Sequence, residues 1–305
     1  MKQFGEETLA TREKIAVIGA GTMGAGIAGV FAACGYPVAI YSRSEQTLEI
    51  ARKAIARIAG ESVDVEYMTL LESCVEGASI VSENLAEDVA LKQRVFKDME
   101  AAAPENCLLT TNTSSVPITT IAAGLRRPER VVGIHWFNPP AVMPLVEIVR
   151  GEQTSDETIR QARALCAEIG KEIIEVNHDI AGFVVNRLQY AILREALHLV
   201  ESGVASIADV DRAVETTLAP RWSASGPLRL MDLAGLDTVE KVSSILMPAL
   251  NRSEDVPPLV QRLCAAGALG TKSGSGFYAW TPDSIAAAIK QRDDTVRLLT
   301  ERRNG

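Results

Sequence analysis

The chain has 305 residues, of which 47% are hydrophobic and 23% charged, and its net charge at pH 7 is −8. This length suggests two domains, and this composition is typical of a globular protein with a full apolar core. The acidic balance argues against nucleic acid as a partner. The five cysteines are scattered and form no C-x-x-C pair, which indicates a cytoplasmic protein with reduced thiols and without a disulfide framework or a metal site.

Residues 1–13 are polar, lack the apolar core of a signal peptide and are predicted to form a flexible leader. The stretch that follows, Lys14 to Arg43, has the most informative pattern in the chain. It reads as a strand, a glycine-rich turn, a helix of small residues and a second strand. Ile15 to Ser42 carries no charge, as a membrane span would, but its six glycines, its proline and its changes of period argue against a span.

Three glycines, Gly19, Gly21 and Gly24, have the G-x-G-x-x-G spacing between the first strand and the helix. Gly19 suits a tight turn, Gly21 lets a pyrophosphate approach the backbone, and Gly24 lets the helix pack on the strand. The free N–H groups of the first helical turn, which includes Thr22 and Met23, are then expected to hold the phosphates. The pattern predicts a Rossmann dinucleotide site, with a domain for another nucleotide as the alternative.

The end of the second strand bears on the choice of cofactor. An NAD site usually has Asp or Glu there, and this chain has Ser42 and Arg43. A hydroxyl and a guanidinium can bind a 2′-phosphate through charge-assisted hydrogen bonds, whereas a carboxylate would repel it. We therefore expect NAD(P) with a preference for NADP. The alternative is that Arg43 stacks on the adenine or lies in solvent.

The remaining elements are predicted from hydrophobic spacing. They are a helix over 45–58, a short amphipathic stretch over 63–74, a strand over 78–81, a helix over 89–103, a strand over 108–111, a short helix over 118–125, strands over 131–135 and 145–149, a helix over 155–169 and a strand over 173–176. Strands that alternate with helices predict an α/β fold, a doubly wound and mostly parallel sheet covered on both faces.

From residue 180 onward the pattern is helical, over 183–202, 207–218, 228–236, 238–250 and 257–266. We expect a Rossmann domain over residues 14–178 and an all-α C-terminal domain over residues 179–305. The helical part has few polar faces, which predicts a homodimer formed through it.

One histidine lies where an open α/β sheet binds its ligand. His135 ends the apolar strand Val131 to Ile134, and the carboxyl ends of such strands border the ligand crevice. An imidazole can exchange a proton near neutral pH, so His135 is a candidate general base, with a hydrogen-bonded core histidine as the alternative. Glu147 lies inside the apolar strand Leu145 to Val149, where a carboxylate is costly unless it is paired. We expect Glu147 to bind the other imidazole nitrogen and to stabilise the imidazolium.

Seven motifs together resemble the L-3-hydroxyacyl-CoA dehydrogenase family over nearly the whole chain. They are GAGTMGAGIA at 19–28, EDVALK at 87–92, NTSS at 112–115, HWFNP at 135–139, GFVVNR at 182–187, GPLRLMDLAGLD at 226–237 and LGTKSGSGFY at 269–278. The resemblance implies a Rossmann domain followed by a helical dimerisation domain. It also implies oxidation of a 3-hydroxyl to a 3-keto group with a nicotinamide cofactor, or the reverse.

The resemblance also implies roles for individual residues. They are His135 as the general base, Glu147 as its orienting partner, Ser114 as the hydrogen-bonding partner of the reacting oxygen, Asn186 and Asn138 as substrate-binding residues, and Glu87, Lys92 and Asn112 as residues beside the cofactor. Other interpretations stay open for two of them. Ser114 could cap a helix that begins near Ile118, and Asn186 could belong to an ordinary polar helix face.

Two departures from the family bear on the substrate. The segment from Glu45 to Gly77 is shorter than the long helical hairpin that helps to cover CoA in the family. Arg221, beside Trp222, is similar to an arginine of the carnitine- and gulonate-type branch, and its guanidinium could bind a free carboxylate or form a surface ion pair. We expect a 3-hydroxyacyl thioester as substrate, with a small free 3-hydroxy acid as the first alternative and a non-catalytic dinucleotide-binding protein as the second.

Overall fold

The structure is a computed structural model that describes residues 12–304, so residues 1–11 of the predicted leader lie outside the described residues. The chain divides into two compact units, one that extends through Asn186 and one that begins at Arg187. Among the described residues, no helix is both long enough and apolar enough to cross a membrane.

The first unit is built on a sheet of eight strands in the order β3-β2-β1-β4-β5-β6-β7-β8. The strands are β1 (Ile15–Ile18), β2 (Val38–Tyr41), β3 (Val65–Met68), β4 (Ile80–Glu83), β5 (Leu108–Thr111), β6 (Val131–Trp136), β7 (Leu145–Val149) and β8 (Glu172–Val176). All neighbouring pairs are parallel except β6 and β7, which are antiparallel. The predicted doubly wound, mostly parallel sheet is confirmed.

Helices cover both faces of this sheet. They are α1 (Thr22–Ala33), α2 (Glu45–Ala59), α3 (Leu71–Val75), α4 (Val89–Ala102), α5 (Ile118–Ala122) and α6 (Asp156–Glu168). Alternate residues of β1 enter different buried clusters, because successive side chains of a strand point to opposite faces: Ile15 and Val17 join one cluster, and Ala16 and Ile18 join the other. A strand that is buried on both faces explains the continuous apolar runs in the sequence.

One predicted element is wrong. The stretch 63–74, predicted as a single amphipathic segment, forms β3 and then α3, and β3 pairs with β2 at the edge of the sheet. The physical reason is visible in the packing: Val65 and Tyr67 lie against one core cluster, and Met68 lies against the other. This two-residue alternation is short enough to be hidden among the helical spacings on either side.

The described part of the second unit is helical, as predicted for the C-terminal domain. Its helices are α7 (Val185–Glu201, which begins in the first unit), α8 (Ile207–Ala213), α9 (Ala219–Ala234, kinked at Gly226), α10 (Leu236–Leu246), α11 (Pro258–Ala265) and α12 (Pro282–Asn304). A π-helical turn, Val214–Leu218, joins α8 to α9. The sequence analysis had no helix over α12, because this helix is rich in charged and small residues and lacks a continuous apolar stripe.

The two compact units meet in the chain after Asn186, whereas the sequence pattern changes near residue 178. The segment between these two points stays with the sheet because the N–H groups of Val184 and Val185 donate hydrogen bonds to the buried carboxylate of Glu147. Asn186 is consequently held in the first unit.

The glycine-rich turn between β1 and α1 is tightly packed at two of its three glycines, Gly19 against the backbone of Asn84 and Gly24 against that of Gly19. Gly19 has a φ of +103°, and a Cβ on Gly24 would lie 1.8 Å from the carbonyl oxygen of Gly19. A Cβ on Gly21 would meet no atom within 4 Å, and the φ of Gly21 is −69°, which any residue can adopt. The fold therefore requires Gly19 and Gly24, whereas Gly21 leaves open space above the first turn of α1.

This contrast gives a test of the predicted pyrophosphate site. Gly24→Ala should destabilise the protein by about 1–3 kcal/mol, because the added methyl group overpacks the turn. Gly21→Ala should leave the melting temperature unchanged and weaken dinucleotide binding at least tenfold, about 1.4 kcal/mol, because the methyl group enters the space of the ligand. Thermal unfolding and dinucleotide titration measure the two effects. Normal dinucleotide affinity in Gly21→Ala would show that the phosphates bind elsewhere.

Candidate active site

His135 and Glu147 face each other across the antiparallel pair of β6 and β7, where they are direct partners in the register. Opposed residues of a strand pair point to the same face of the sheet, so the two side chains meet. The distance between His135 Nδ1 and Glu147 Oε2 is 2.6 Å, and both side chains are buried.

The second oxygen of Glu147 accepts two backbone hydrogen bonds. Oε1 lies 3.0 Å from the N–H nitrogen of Val184 and 2.9 Å from that of Val185, where α7 begins. Burial by itself raises the pKa of the Glu147 carboxyl, but the hydrogen bonds from His135, Val185 and Val184 outweigh it and lower the pKa below its usual value. An ionised Glu147 can only accept, so Nδ1 of His135 carries a proton and Nε2 is free to act as a base.

Two aromatic rings fix the plane of the imidazole. The Phe137 ring lies edge-on at 4.6 Å from the His135 ring, and the Phe183 ring lies edge-on at 5.5 Å. Phe183 has a φ of +47°, a left-handed conformation that is uncommon for a residue with a side chain. It is also buried, and it immediately precedes the N–H groups that bind Glu147.

A cavity of about 380 Å³ opens beside this pair within the first unit. It brings together seven of the residues predicted for the site, which are Met23, Glu87, Asn112, Ser114, His135, Asn138 and Asn186. Asn84, Leu85, Trp136 and Phe137 complete its lining. Arg221 lies instead on α9 of the second unit, where its side chain is exposed and its Nε donates to the carbonyl oxygen of Thr217.

Glu87 binds the NTSS turn that follows β5. Its carboxylate accepts hydrogen bonds from Thr113 Oγ1 at 2.7 Å, from the Ser114 N–H at 2.7 Å and from Ser114 Oγ at 3.1 Å. The helix-capping alternative for Ser114 is wrong, because α5 has Pro117 at its N-cap and no side-chain capping bond. Ser114 is therefore placed by Glu87 at the edge of the cavity.

The amide of Asn112 has a fixed orientation. Its Oδ1 accepts a hydrogen bond of 2.8 Å from the backbone N–H of Trp136, which can only donate. The Asn112 Nδ2 is therefore available as a donor to a ligand in the cavity that this residue lines.

The sequence analysis missed one buried charge of this site, Glu83 at the end of β4. Its carboxylate binds Lys92 Nζ at 2.9 Å and Thr111 Oγ1 at 2.6 Å, and both Glu83 and Lys92 are almost completely buried. Lys92 does not line the cavity directly; its Nζ lies 3.9 Å from Glu87, which does. The sequence contains a signal that could have identified Glu83: a carboxylate in an otherwise apolar strand, Ile80–Glu83. The same signal identified Glu147 in β7.

A second cavity, of about 500 Å³, lies over the glycine-rich turn and the end of β2. It is lined by Gly19, Ala20, Gly21, Tyr41, Ser42, Arg43, Ser44, Thr47, Asn84, Leu85 and Ala86. Asn84 and Leu85 line both cavities, so the two are adjacent. The first turn of α1 has no side-chain cap and no acidic residue, which leaves its N–H groups for an anion. Two adjacent cavities at this edge of the sheet are the arrangement expected for an elongated dinucleotide. No group of His, Cys, Asp and Glu in the described part of the chain could hold a metal ion.

Two family models match the chain. The NAD binding domain of 3-hydroxyacyl-CoA dehydrogenase matches residues 14–180, and the C-terminal domain of the same enzyme matches residues 182–280.

Similar proteins fall into two groups. A 5-formyl-3-hydroxy-2-methylpyridine 4-carboxylate 5-dehydrogenase of Mesorhizobium japonicum is 35% identical over 91% of this chain and 94% of its own length. A probable 3-hydroxybutyryl-CoA dehydrogenase of Bacillus subtilis is 39% identical over 87% of this chain and 96% of its own.

Two solved structures belong to the same two groups. A crystal structure of the pyridine-carboxylate dehydrogenase, described as an NAD⁺-dependent dismutase, has a TM-score of 0.88 at 35% identity and covers 96% of this chain and 98% of its own. That of (S)-3-hydroxybutyryl-CoA dehydrogenase from Ralstonia eutropha has a TM-score of 0.72 at 32% identity and covers 88% and 99%. The chain therefore belongs to the 3-hydroxyacyl-CoA dehydrogenase family of oxidoreductases, whose cofactor is a nicotinamide dinucleotide.

Proposed function

We propose that this enzyme interconverts a 3-hydroxyacyl thioester, most simply one linked to CoA, and its 3-keto form. The observation that carries the proposal is the buried pair of His135 and Glu147, which opens onto a cavity lined by Ser114 and Asn186. A protein that only binds a dinucleotide has no use for a base that is held by a buried carboxylate, so this arrangement supports catalysis.

In the oxidation direction, Nε2 of His135 accepts the proton of the 3-hydroxyl. The C3–H bond breaks, its electron pair leaves as hydride, and the C3–O bond becomes a carbonyl. A bound nicotinamide supplies the hydride acceptor. Glu147 stabilises the imidazolium that forms, because its carboxylate lies 2.6 Å from Nδ1 and remains ionised. In reduction, His135 returns the proton to the oxygen.

Neutral donors surround the position of the reacting oxygen. We assign Ser114 to hydrogen-bond this oxygen, for which its hydroxyl hydrogen turns from Glu87 to the substrate, and Asn186 and Asn138 to hold the substrate carbonyl. Such donors stabilise the charge that develops during hydride transfer, and loss of one typically costs on the order of a hundredfold in rate. Glu87 and Asn112, with Lys92 behind Glu87, are assigned to the nicotinamide end of the cofactor.

We infer a preference for NADP from the second cavity. Arg43 and the hydroxyls of Ser42, Ser44 and Thr47 line it at the N-terminus of α2, where a helix favours negative charge. None of the described residues that line this cavity carries a carboxylate. A 2′-phosphate would find donors and a cation among the residues that line this cavity. The cofactor contacts of Gly19, Gly21, Thr22, Met23 and Gly24 would serve NAD and NADP equally.

A small free hydroxy acid is the second candidate substrate. The high TM-score with a dehydrogenase that is named for a free pyridine carboxylate favours it. The segment after β2 also favours it, since it forms α2, β3 and α3 on the sheet rather than the long helical hairpin expected from the family. The cavity in the first unit has no lysine or arginine among its lining residues, so we assign carboxylate binding for this candidate to Arg221.

We further propose that the protein forms a homodimer through its helical unit and works in the cytoplasm. Leu197 is the only buried residue among the described ones of the second unit, whereas Leu228, Leu233 and Ile245 are 83%, 74% and 73% exposed. A helical unit that buries so little and exposes such large apolar side chains supports an interface with a second copy. All five cysteines are free, as is usual in a reducing compartment. Sedimentation at micromolar concentration should give a dimer.

Turnover of acetoacetyl-CoA, compared with that of free 3-hydroxybutyrate, L-gulonate and carnitine, tests the substrate class. The proposal expects turnover of the thioester, and His135→Gln should lower kcat at least a hundredfold with little change in cofactor affinity. The matched control is His198→Gln, a change at an exposed histidine of α7, which should keep full activity.

Inactivity with the thioester together with turnover of a free acid would overturn the proposal in favour of the second candidate. In that case Arg221→Met should raise KM for the acid. Activity of His135→Gln near that of the wild type would remove this residue from the mechanism.

Glu147→Gln should lower kcat at least tenfold, because a neutral amide cannot stabilise the imidazolium. The same change should also lower the free energy of unfolding, by an amount that depends on pH. The folded pKa of Glu147 is below the unfolded one, so this carboxylate stabilises the fold above its unfolded pKa of about 4.3, and this contribution is lost as the pH falls through the folded pKa. Chemical denaturation should show a stability difference from wild type at pH 7 that narrows toward pH 3. A difference that is constant across this range would contradict the assignment.

The ratio of kcat/KM for NADPH and NADH, at fixed ionic strength because salt screens this contact, tests cofactor choice. Wild type should favour NADPH, and Ser42→Asp with Arg43→Ile should shift the ratio toward NADH by about tenfold to a hundredfold, since a charge-assisted contact is worth roughly 1.5–3 kcal/mol. Arg57→Ile, which removes an exposed cation at the far end of α2, is the control and should leave the ratio unchanged. A wild-type ratio in favour of NADH would refute the preference.

A further inference from the structure

The loop over residues 137–144, between β6 and β7, carries two side chains that line the active-site cavity. Phe137 lies against the ring of His135, and Asn138 faces the proposed substrate. The position of this loop therefore sets the distances from His135 to Phe137 and to Asn138. Misplacement of catalytic groups by about 1 Å can cost on the order of a hundredfold in rate.

The loop has few hydrogen bonds of its own because three of its residues, Pro139, Pro140 and Pro144, have no N–H group. Inside the loop, the N–H groups of Val142 and Met143 both donate to the carbonyl oxygen of Pro139, at 3.0 Å. The carbonyl oxygens of Pro140 and Met143 are left without a partner in the loop itself.

Lys171 supplies the missing donors from outside the cavity. It follows α6, and its Nζ donates to the carbonyl oxygen of Pro140 at 2.6 Å and to that of Met143 at 2.7 Å. The same ammonium lies 5.2 Å from the centre of the Trp136 ring, at the point where β6 enters the loop. The side chain of Lys171 thus binds the loop at two points, Pro140 and Met143.

We propose that Lys171 is a positioning residue for catalysis, which holds the loop over residues 137–144 against His135 through the carbonyl groups of Pro140 and Met143. The activity readouts below rest on the proposed function; the loop contacts do not.

The ammonium is stabilised by carbonyl dipoles and an indole ring rather than by a carboxylate. Burial lowers the pKa of Lys171 to about 8, and the titratable groups whose charges act on it are the thiols of Cys34, at the end of α1, and Cys166, in α6. Burial raises the pKa of Cys166 to about 12, so this thiol stays neutral where Lys171 titrates. Above pH 8 the two hydrogen bonds lose their charge, which makes each about half as strong, and the loop loosens.

Three variants test the role. Lys171→Met keeps the apolar stem and removes the donors, so kcat/KM should fall about tenfold to a hundredfold. Amide hydrogen exchange at Val142 and Met143 should also lose protection, which is measured on the protein without substrate. Lys171→Arg should keep protection and activity at pH 7, and keep them at pH 9, because an arginine remains charged. Wild type should lose protection between pH 7 and pH 9.

Lys14→Met is the matched control, since Lys14 Nζ also donates to a backbone carbonyl, that of Glu76, but far along the chain from this loop. It should leave loop protection and kcat/KM unchanged. Wild-type protection and kcat/KM in Lys171→Met would overturn the proposal. If Lys171→Met does not fold, wild type and Lys171→Arg still decide the question. The proposal would be overturned if amide protection in wild type did not fall between pH 7 and pH 9 and so matched that of Lys171→Arg. Loss of loop protection with no turnover of any substrate tested would refute only the proposed function.

Discussion

The catalytic half of this structure depends on one buried carboxylate, that of Glu147. A charge inside a sheet is costly unless it is paired and hydrogen-bonded, and here one oxygen binds His135 while the other binds the N–H groups of Val184 and Val185. The carboxylate thereby ties β6, β7 and the start of α7 together. It fixes the proton on His135 Nδ1, and it places Asn186, the next residue of α7, beside the base.

The cofactor half depends on a different constraint, the close packing of the backbone at Gly19 and Gly24. Because parallel strands end at the same edge, the turns after β1, β4 and β5 lie together there. Glu83, the last residue of β4, joins this strand to β5 through Thr111 and to α4 through Lys92. Both halves of the site thus share one feature, a buried carboxylate in an apolar strand that binds groups of neighbouring segments.

The proposed choice between substrates depends on parts of the chain other than these two carboxylates and the glycine-rich turn. The segment after β2 folds back onto the sheet as α2, β3 and α3. The chemistry proposed for His135 and Glu147 does not depend on this segment, because it concerns the hydroxyl at C3 and not the group that carries the acyl chain. A family with one catalytic frame can therefore serve thioesters and free acids, and the chain has features of both groups.

The sequence by itself determined the elements that rest on local pattern: β1, the glycine turn and α1, the alternation of strands and helices, and the pairing of His135 with Glu147 across a short connection. It missed β3, where a two-residue period was hidden between helices, and α12, which has no apolar stripe. Only the tertiary structure showed that Glu83 binds Lys92 and that Lys171 binds the loop at Pro140 and Met143. These contacts join segments whose neighbourhood follows from strand order and register, and hydrophobic periodicity along the chain carries no information about which segments become neighbours.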